Sequence, residues 1–163
     1  MLEDIAPDEI RRRRAIYEPL TDAVRDLVDA AIRTEADADT VAEVLDLVQS
    51  ATDRLRERQL AGAFGVRFAS SGESMPWGNP VIGIRNPIAP PMVIERDDTG
   101  AVSSDFTLGA AYEGPTGMVH GGICALLLDH LLGEAASADG SPSLTGEITV
   151  RFVRATPLGP LHA

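Results

Sequence analysis

The sequence predicts an α+β fold in which a curled sheet wraps one central helix over residues 92–163, preceded by an α-helical region over 1–65 and an irregular linker over 66–91. Three observations carry this. Apolar residues recur at helical spacing as far as Gln59. Gly, Pro, Ser and Asn crowd residues 70–91. Strand-like runs then flank a single apolar helix that begins at Gly121-Gly122.

In chain order, Ile10, Ile16, Leu20, Val24 and Leu27 form a first amphipathic stripe, and Val44, Leu47, Val48, Ala51 and Leu55 form another. Pro19 is expected to break the first run or open a new helix. Thr40 with Glu43 reads as a capping box for the last helix, and Gly62 and Gly65 end the region. The run Arg11 to Arg14 is offset by five acids among the first eighteen residues, so it reads as a solvated helix face. Beyond the linker, Met92–Glu95, the turn Asp97-Asp98-Thr99-Gly100 and Val102–Leu108 predict a β-hairpin. A loop over 109–117 leads to the helix. Asp139-Gly140-Ser141-Pro142 then turns the chain into a strand over 144–153, whose Ile148, Val150 and Phe152 alternate with polar residues.

Composition narrows the function. The 163 residues carry 14 basic and 25 acidic side chains, no lysine, and a net charge of −11, so a nucleic-acid partner is not expected, because a phosphate backbone demands a basic face. The single cysteine, Cys124, cannot form an internal disulfide, and residues 1–10 lack a basic start followed by an apolar stretch, so cytoplasmic residence is the expectation. Residues 123–136 are too short for a membrane span and carry Asp129, His130 and Glu134. Three scattered histidines offer no metal-ligand spacing.

Asp129 is the residue that needs explaining: a carboxylate on a helix that otherwise reads as buried. The helix N-terminus at Gly121-Gly122 exposes amides that the helix itself cannot pair and adds partial positive charge, a geometry for binding an oxyanion. A glycine pair can also simply end a loop and allow close packing. Asp129 lies eight residues from Gly121, about 12 Å along the axis, too far for both to act on one atom within one chain. Two such helices antiparallel across a two-fold axis would form two composite sites, which makes a homodimer, or a dimer of dimers, part of the mechanism. A buried aspartate satisfied by backbone or by His130 is the structural alternative. His120 is either a base or a loop-shaping hydrogen-bonder, and His130 points about 100° away from Asp129 round the helix, a structural position. Cys124 reads as an inert thiol among apolar neighbours. Thr145 is placed to bond a water or the carboxylate, or serves as an ordinary strand-end threonine. Arg151 and Arg154 are two of five arginines after residue 60, and hold either a phosphate or a surface salt bridge.

The segments Tyr112 to Gly122 (including Val119-His120-Gly121-Gly122), Leu127-Leu128-Asp129, and Thr145 to Phe152 with Arg154-Ala155-Thr156-Pro157-Leu158-Gly159 resemble the hotdog-fold acyl-CoA thioesterases. Within these the likeness is to the phenylacetate-pathway (PaaI-type) branch and the human thioesterase superfamily members. It covers roughly residues 85–160. The resemblance implies a hotdog fold and hydrolysis of an acyl-CoA substrate, with no cofactor beyond the CoA that the substrate carries. It implies that Gly121 supplies an amide for the thioester oxygen, Asp129 of the partner chain activates water or attacks the carbonyl, Thr145 positions that water, and His120 organises the loop. Gly122 belongs to the same turn, and Arg154, with Arg151 less well placed, matches the part that meets CoA phosphates or pantetheine. Gly114 stands where some relatives place an asparagine. The family sheet carries two or three strands after the one with Thr145. The resemblance therefore implies that the chain is a fragment, or that its N-terminal helices or a partner replace those strands; without them an apolar helix face and a sheet edge would be left uncovered. Two rival functions remain: a hotdog hydratase or dehydratase using His120 and Glu134, and a non-catalytic acyl-CoA-binding or interaction module.

Overall fold

The computed structural model describes residues 2–63, 68–90, 92–137 and 144–163, and only the backbone of Leu2 and Glu3. A short strand β1 (Leu2–Glu3) is followed by helix α1 (Pro7–Arg33) and helix α2 (Ala38–Arg56). Pro19 lies inside α1 and does not break it. That corrects the expected break: a proline removes one ladder bond, and the flanking turns of a 27-residue helix keep theirs. The N-cap of α2 is Asp37, whose carboxylate accepts from Thr40 N at 2.8 Å, so this helix starts before the expected Thr40-Glu43 box. Asp caps better than Thr. Gly62 follows in coil, while Gly65 lies outside the described residues.

The arginine run is solvated and paired within its own helix. Arg11 pairs with Asp8, Arg12 and Arg13 with Glu9, and Arg14 with Glu18. Hydrogen bonds from Arg12 and Arg13 hold the Glu9 carboxyl down to about 2.

The opposite face of α1 is anchored to the irregular segment. Ile10 joins Ala69, Met75 and Trp77 in a small buried cluster, with Tyr17 and Ile84 packed against it. The Tyr17 and Trp77 rings lie 6.5 Å apart, and the Arg85 guanidinium sits 3.7 Å over the Tyr17 ring. Arg25 donates to the carbonyls of Gly83, Asn86 and Ala89, so one side chain satisfies three backbone groups of a stretch without regular partners.

Among the described residues, three two-stranded pairings make up the sheet structure. β1 runs parallel to β2 (Phe68–Ala69). β3 (Glu95–Arg96) and β4 (Val102–Ser103) form the expected hairpin, its turn held by Asp97 Oδ1, which accepts from Thr99 N and Ala101 N, and by Gly100 at φ +86°. At Ser104 the chain changes partner, and β5 (Asp105–Leu108) pairs antiparallel with β6 (Gly159–His162). The main core packs Phe106 and Leu108 of β5 against Val81, Met92, Val119 and the buried face of helix α3 (Gly121–Ala136).

The expected strand over 144–153 is absent. These residues carry no strand assignment and, among the described residues, make no backbone hydrogen bonds to another segment; Leu144, Phe152 and Val153 are exposed. Alternation reports an apolar face, but a strand exists only where its backbone pairs with a neighbour, and among the described residues β5 pairs with β6 while 144–153 pairs with no strand. The turn expected over 139–142 lies outside the described residues.

Candidate functional site

Helix α3 is buried on one side only, which corrects the reading of it as wholly enclosed. Leu127 and Leu131 point into the core, whereas Leu132 is 60% exposed and Leu128 40%. Asp129 is half-buried at the edge of this open face, and among the described residues it makes no hydrogen bond or ion pair. Its neighbour His130 turns inward; its Nε2 is buried, has no hydrogen-bond partner among the described residues and lies 3.8 Å from Glu134 Oε1. Burial pushes the His130 imidazole below its ordinary value, against the pull of Glu134 and Asp129.

The start of α3 is set by His120. Its Nδ1 accepts from Gly122 N at 3.0 Å, and its carbonyl accepts from Ile123 N and Cys124 N. Among the described residues this leaves the Gly121 amide as the first-turn donor without an acceptor. Because Gly121 has no side chain, the Phe152 ring closes over it, 3.2 Å from where a Cβ would stand.

His120 is itself held from two sides. Its amide donates to Tyr112 O at 2.9 Å, and the Gly114 backbone presses against it: a Cβ on Gly114 would lie 2.8 Å from His120 Cα. No asparagine side chain fits there without displacing the helix cap. Gly114→Ala is therefore expected to lower stability by about 1–3 kcal/mol, the cost of overpacking a close contact, and to reduce activity with it. An unchanged thermal midpoint would show that the His120 loop yields freely.

Two depressions open along α3. One, of about 310 Å³, begins at Gly121 and is lined by Met118, Cys124, Phe152, Arg154 and Thr156. The other, of about 230 Å³, is lined by Asp129, Leu132, Thr145, Glu147 and Ile148. The structure thus gathers Gly121 with Arg154 at one end and Asp129 with Thr145 at the other. It does not bring the two groups together within one chain, as their spacing along the helix requires. Gly122 is committed to His120, Arg151 is exposed and lines neither depression, and Cys124 is partly buried against the core.

Sequence reasoning passed over Met118 and Thr156. They reach the Gly121 end because Met118 bridges to Pro157 and Val119 N donates to Thr156 O, long-range pairings that leave no local signal. Glu134 lies 14 residues from His120, about 21 Å along the axis, so the pair that a hydratase needs is not assembled within one chain. Among the described residues, no helix is long and apolar enough to cross a membrane.

No family model and no curated protein matches the chain. Among solved structures, a crystal structure of a thioesterase superfamily protein matches with a TM-score of 0.77 and 36% identity, covering 90% of this chain and 76% of that one. Coverage of that extent cannot come from residues 85–160 alone, so the likeness runs into the N-terminal helical region. The chain belongs to the thioesterase superfamily.

Proposed function

We propose that the protein is a hotdog-fold acyl-CoA thioesterase of the phenylacetate-pathway type, hydrolysing its substrate to a free acid and CoA. The observation that carries this reading is the Gly121 amide, which has no acceptor among the described residues and, at the N-terminus of α3, lines a depression that Arg154 also lines. A donor of this kind, with the helix dipole behind it, stabilises negative charge developing on a thioester oxygen, worth roughly 3–4 kcal/mol in a preorganised site.

Across a two-fold axis, the open faces of two antiparallel α3 helices would set Asp129 of one chain near Gly121 of the other. Asp129 then removes a proton from water, Thr145 orients that water, and attack on the thioester carbonyl expels the CoA thiolate. His120 fixes the position of the Gly121-Gly122 turn, and Arg154, with Arg151 further out, meets the phosphates or pantetheine of CoA. Leu128 and Leu132 lie on the face that such pairing would cover.

The test is thiol release from a panel of short, long and aromatic acyl-CoA esters. Hydrolysis of at least one class is expected. Tight binding of the esters without any thiol release would replace this reading with that of an acyl-CoA-binding module.

A further inference from the structure

The N-terminal region reaches the Gly121 site through Tyr112. This residue ends a short helical turn (Ala110–Tyr112) that packs against α1, and just ahead of the turn a Cβ on Gly109 would stand 3.8 Å from Asp29 Oδ1 of that helix. The side chain and main chain of Tyr112 serve different partners. Its hydroxyl donates to Ile88 O at 3.2 Å, and its carbonyl accepts from His120 N at 2.9 Å. Ile88 is fixed in turn: its amide donates to Asn86 Oδ1 at 3.2 Å, and Arg25 of α1 donates to the neighbouring carbonyls, Asn86 O at 3.1 Å and Ala89 O at 3.2 Å. The path therefore runs from Arg25 through the 86–89 backbone, Tyr112 and His120 to the Gly122 amide, which His120 Nδ1 accepts at 3.0 Å. Its links from Arg25 to Ala89 and from Tyr112 to Ile88 span 64 and 24 residues of sequence, so they tie separate parts of the chain together.

We propose that Tyr112 is a positioning residue for the oxyanion donor: braced through Ile88 by α1 and the irregular segment, it fixes His120 and, with it, the first turn of α3. The effect on rate rests on the thioesterase reading above. The Gly121 amide stabilises developing charge only if it is held where the thioester oxygen arrives, and a small displacement of a preorganised donor forfeits much of that gain. Helix α1 and residues 68–90 thereby act on a site they do not line. The phenol suits the task. Burial pushes it above its ordinary value, against the pull of Arg25, so the hydroxyl keeps the proton it donates at neutral pH. Its ring packs against the main core, which seats the residue independently of the hydroxyl. The rival brace is local: Gly114 N donates to Met118 O and Val119 N to Thr156 O, two bonds that hold the loop without passing through Ile88.

Tyr112→Phe removes the hydroxyl and keeps the ring. Amide hydrogen exchange of the full chain, resolved by NMR, reports the first turn of α3 at Gly122 and the buried middle of the helix at Leu131. Gly122 is expected to exchange about two- to tenfold faster with Leu131 unchanged, the range set by the net worth of one hydrogen bond. Acyl-CoA hydrolysis by the same variant should lose a similar factor in kcat with KM held within about twofold, a split that general destabilisation does not produce. Arg25→Met keeps the stem of the side chain and donates nothing. It is expected to speed Gly122 exchange as well, and to add little in the Tyr112→Phe background, because the two residues act along one path. Unchanged exchange at Gly122 overturns the proposal and leaves the local bonds as the brace. A matching rise at Leu131 overturns it too, as does full additivity of the two substitutions, or a kcat that holds while Gly122 loosens. If the unsubstituted chain hydrolyses no ester, the thioesterase reading fails instead, and exchange at Gly122 still decides whether Tyr112 holds the turn.

Discussion

Asp129→Asn is expected to slow acyl-CoA hydrolysis by about 10²–10⁴-fold in kcat while leaving KM within a few-fold. Asparagine keeps the size and shape of the side chain and removes only its ability to take a proton. Asp129 forms no hydrogen bond or ion pair among the described residues, so the substitution breaks no structural contact that would confuse the result. Its half-buried position, beside Thr145 in one depression, leaves it reachable by water and by a second chain. A parallel measurement of binding separates the two possible failures: lost turnover with retained binding assigns Asp129 to the chemical step, and lost binding assigns it to shaping the pocket. Turnover at the unmutated rate would remove Asp129 from the mechanism, and the composite site with it.

The largest expected loss of stability falls far from that helix. Trp77 is 6% exposed, its ring tilted at 53° to that of Tyr17, and enclosed by Ile10, Met75 and Ala69. Truncating a buried aromatic costs about 3–5 kcal/mol, and for a chain of this size each kcal/mol shifts the midpoint by about 2–4 °C. Trp77→Ala should therefore lower the calorimetric midpoint by roughly 6–20 °C, and Trp77→Phe should recover most of it. The loss should also release α1, because this cluster and the three Arg25 hydrogen bonds are what fix the helix to the irregular segment. An unchanged midpoint for Trp77→Ala would show that α1 is held by its other contacts.

Local chemistry was legible in the chain. The amphipathic spacing of α1 and α2, the Asp97–Gly100 turn and the glycines that open α3 each depend on residues within a few positions of one another, and each stands where the sequence places it. The self-paired arginine run belongs in the same group. Pro19 and the Thr40-Glu43 box were misread because a long helix tolerates one lost bond and because Asp37 outcompetes Thr40 as a cap.

What the tertiary structure alone decided is who pairs with whom. Alternation over 144–153 looks like a strand, yet alternation reports a face and not a partner, and the pairing that forms is between β5 and β6, more than fifty positions apart. The same dependence on distant partners places Met118 and Thr156 beside Gly121 and brings Arg25 to three carbonyls of the linker. Asp129 and Gly121 were identifiable as chemically notable from sequence because each is defined by the helix it sits on. Side-chain periodicity reports which face of a segment is apolar, while hydrogen-bond partners and the covering of that face are properties of the assembled chain.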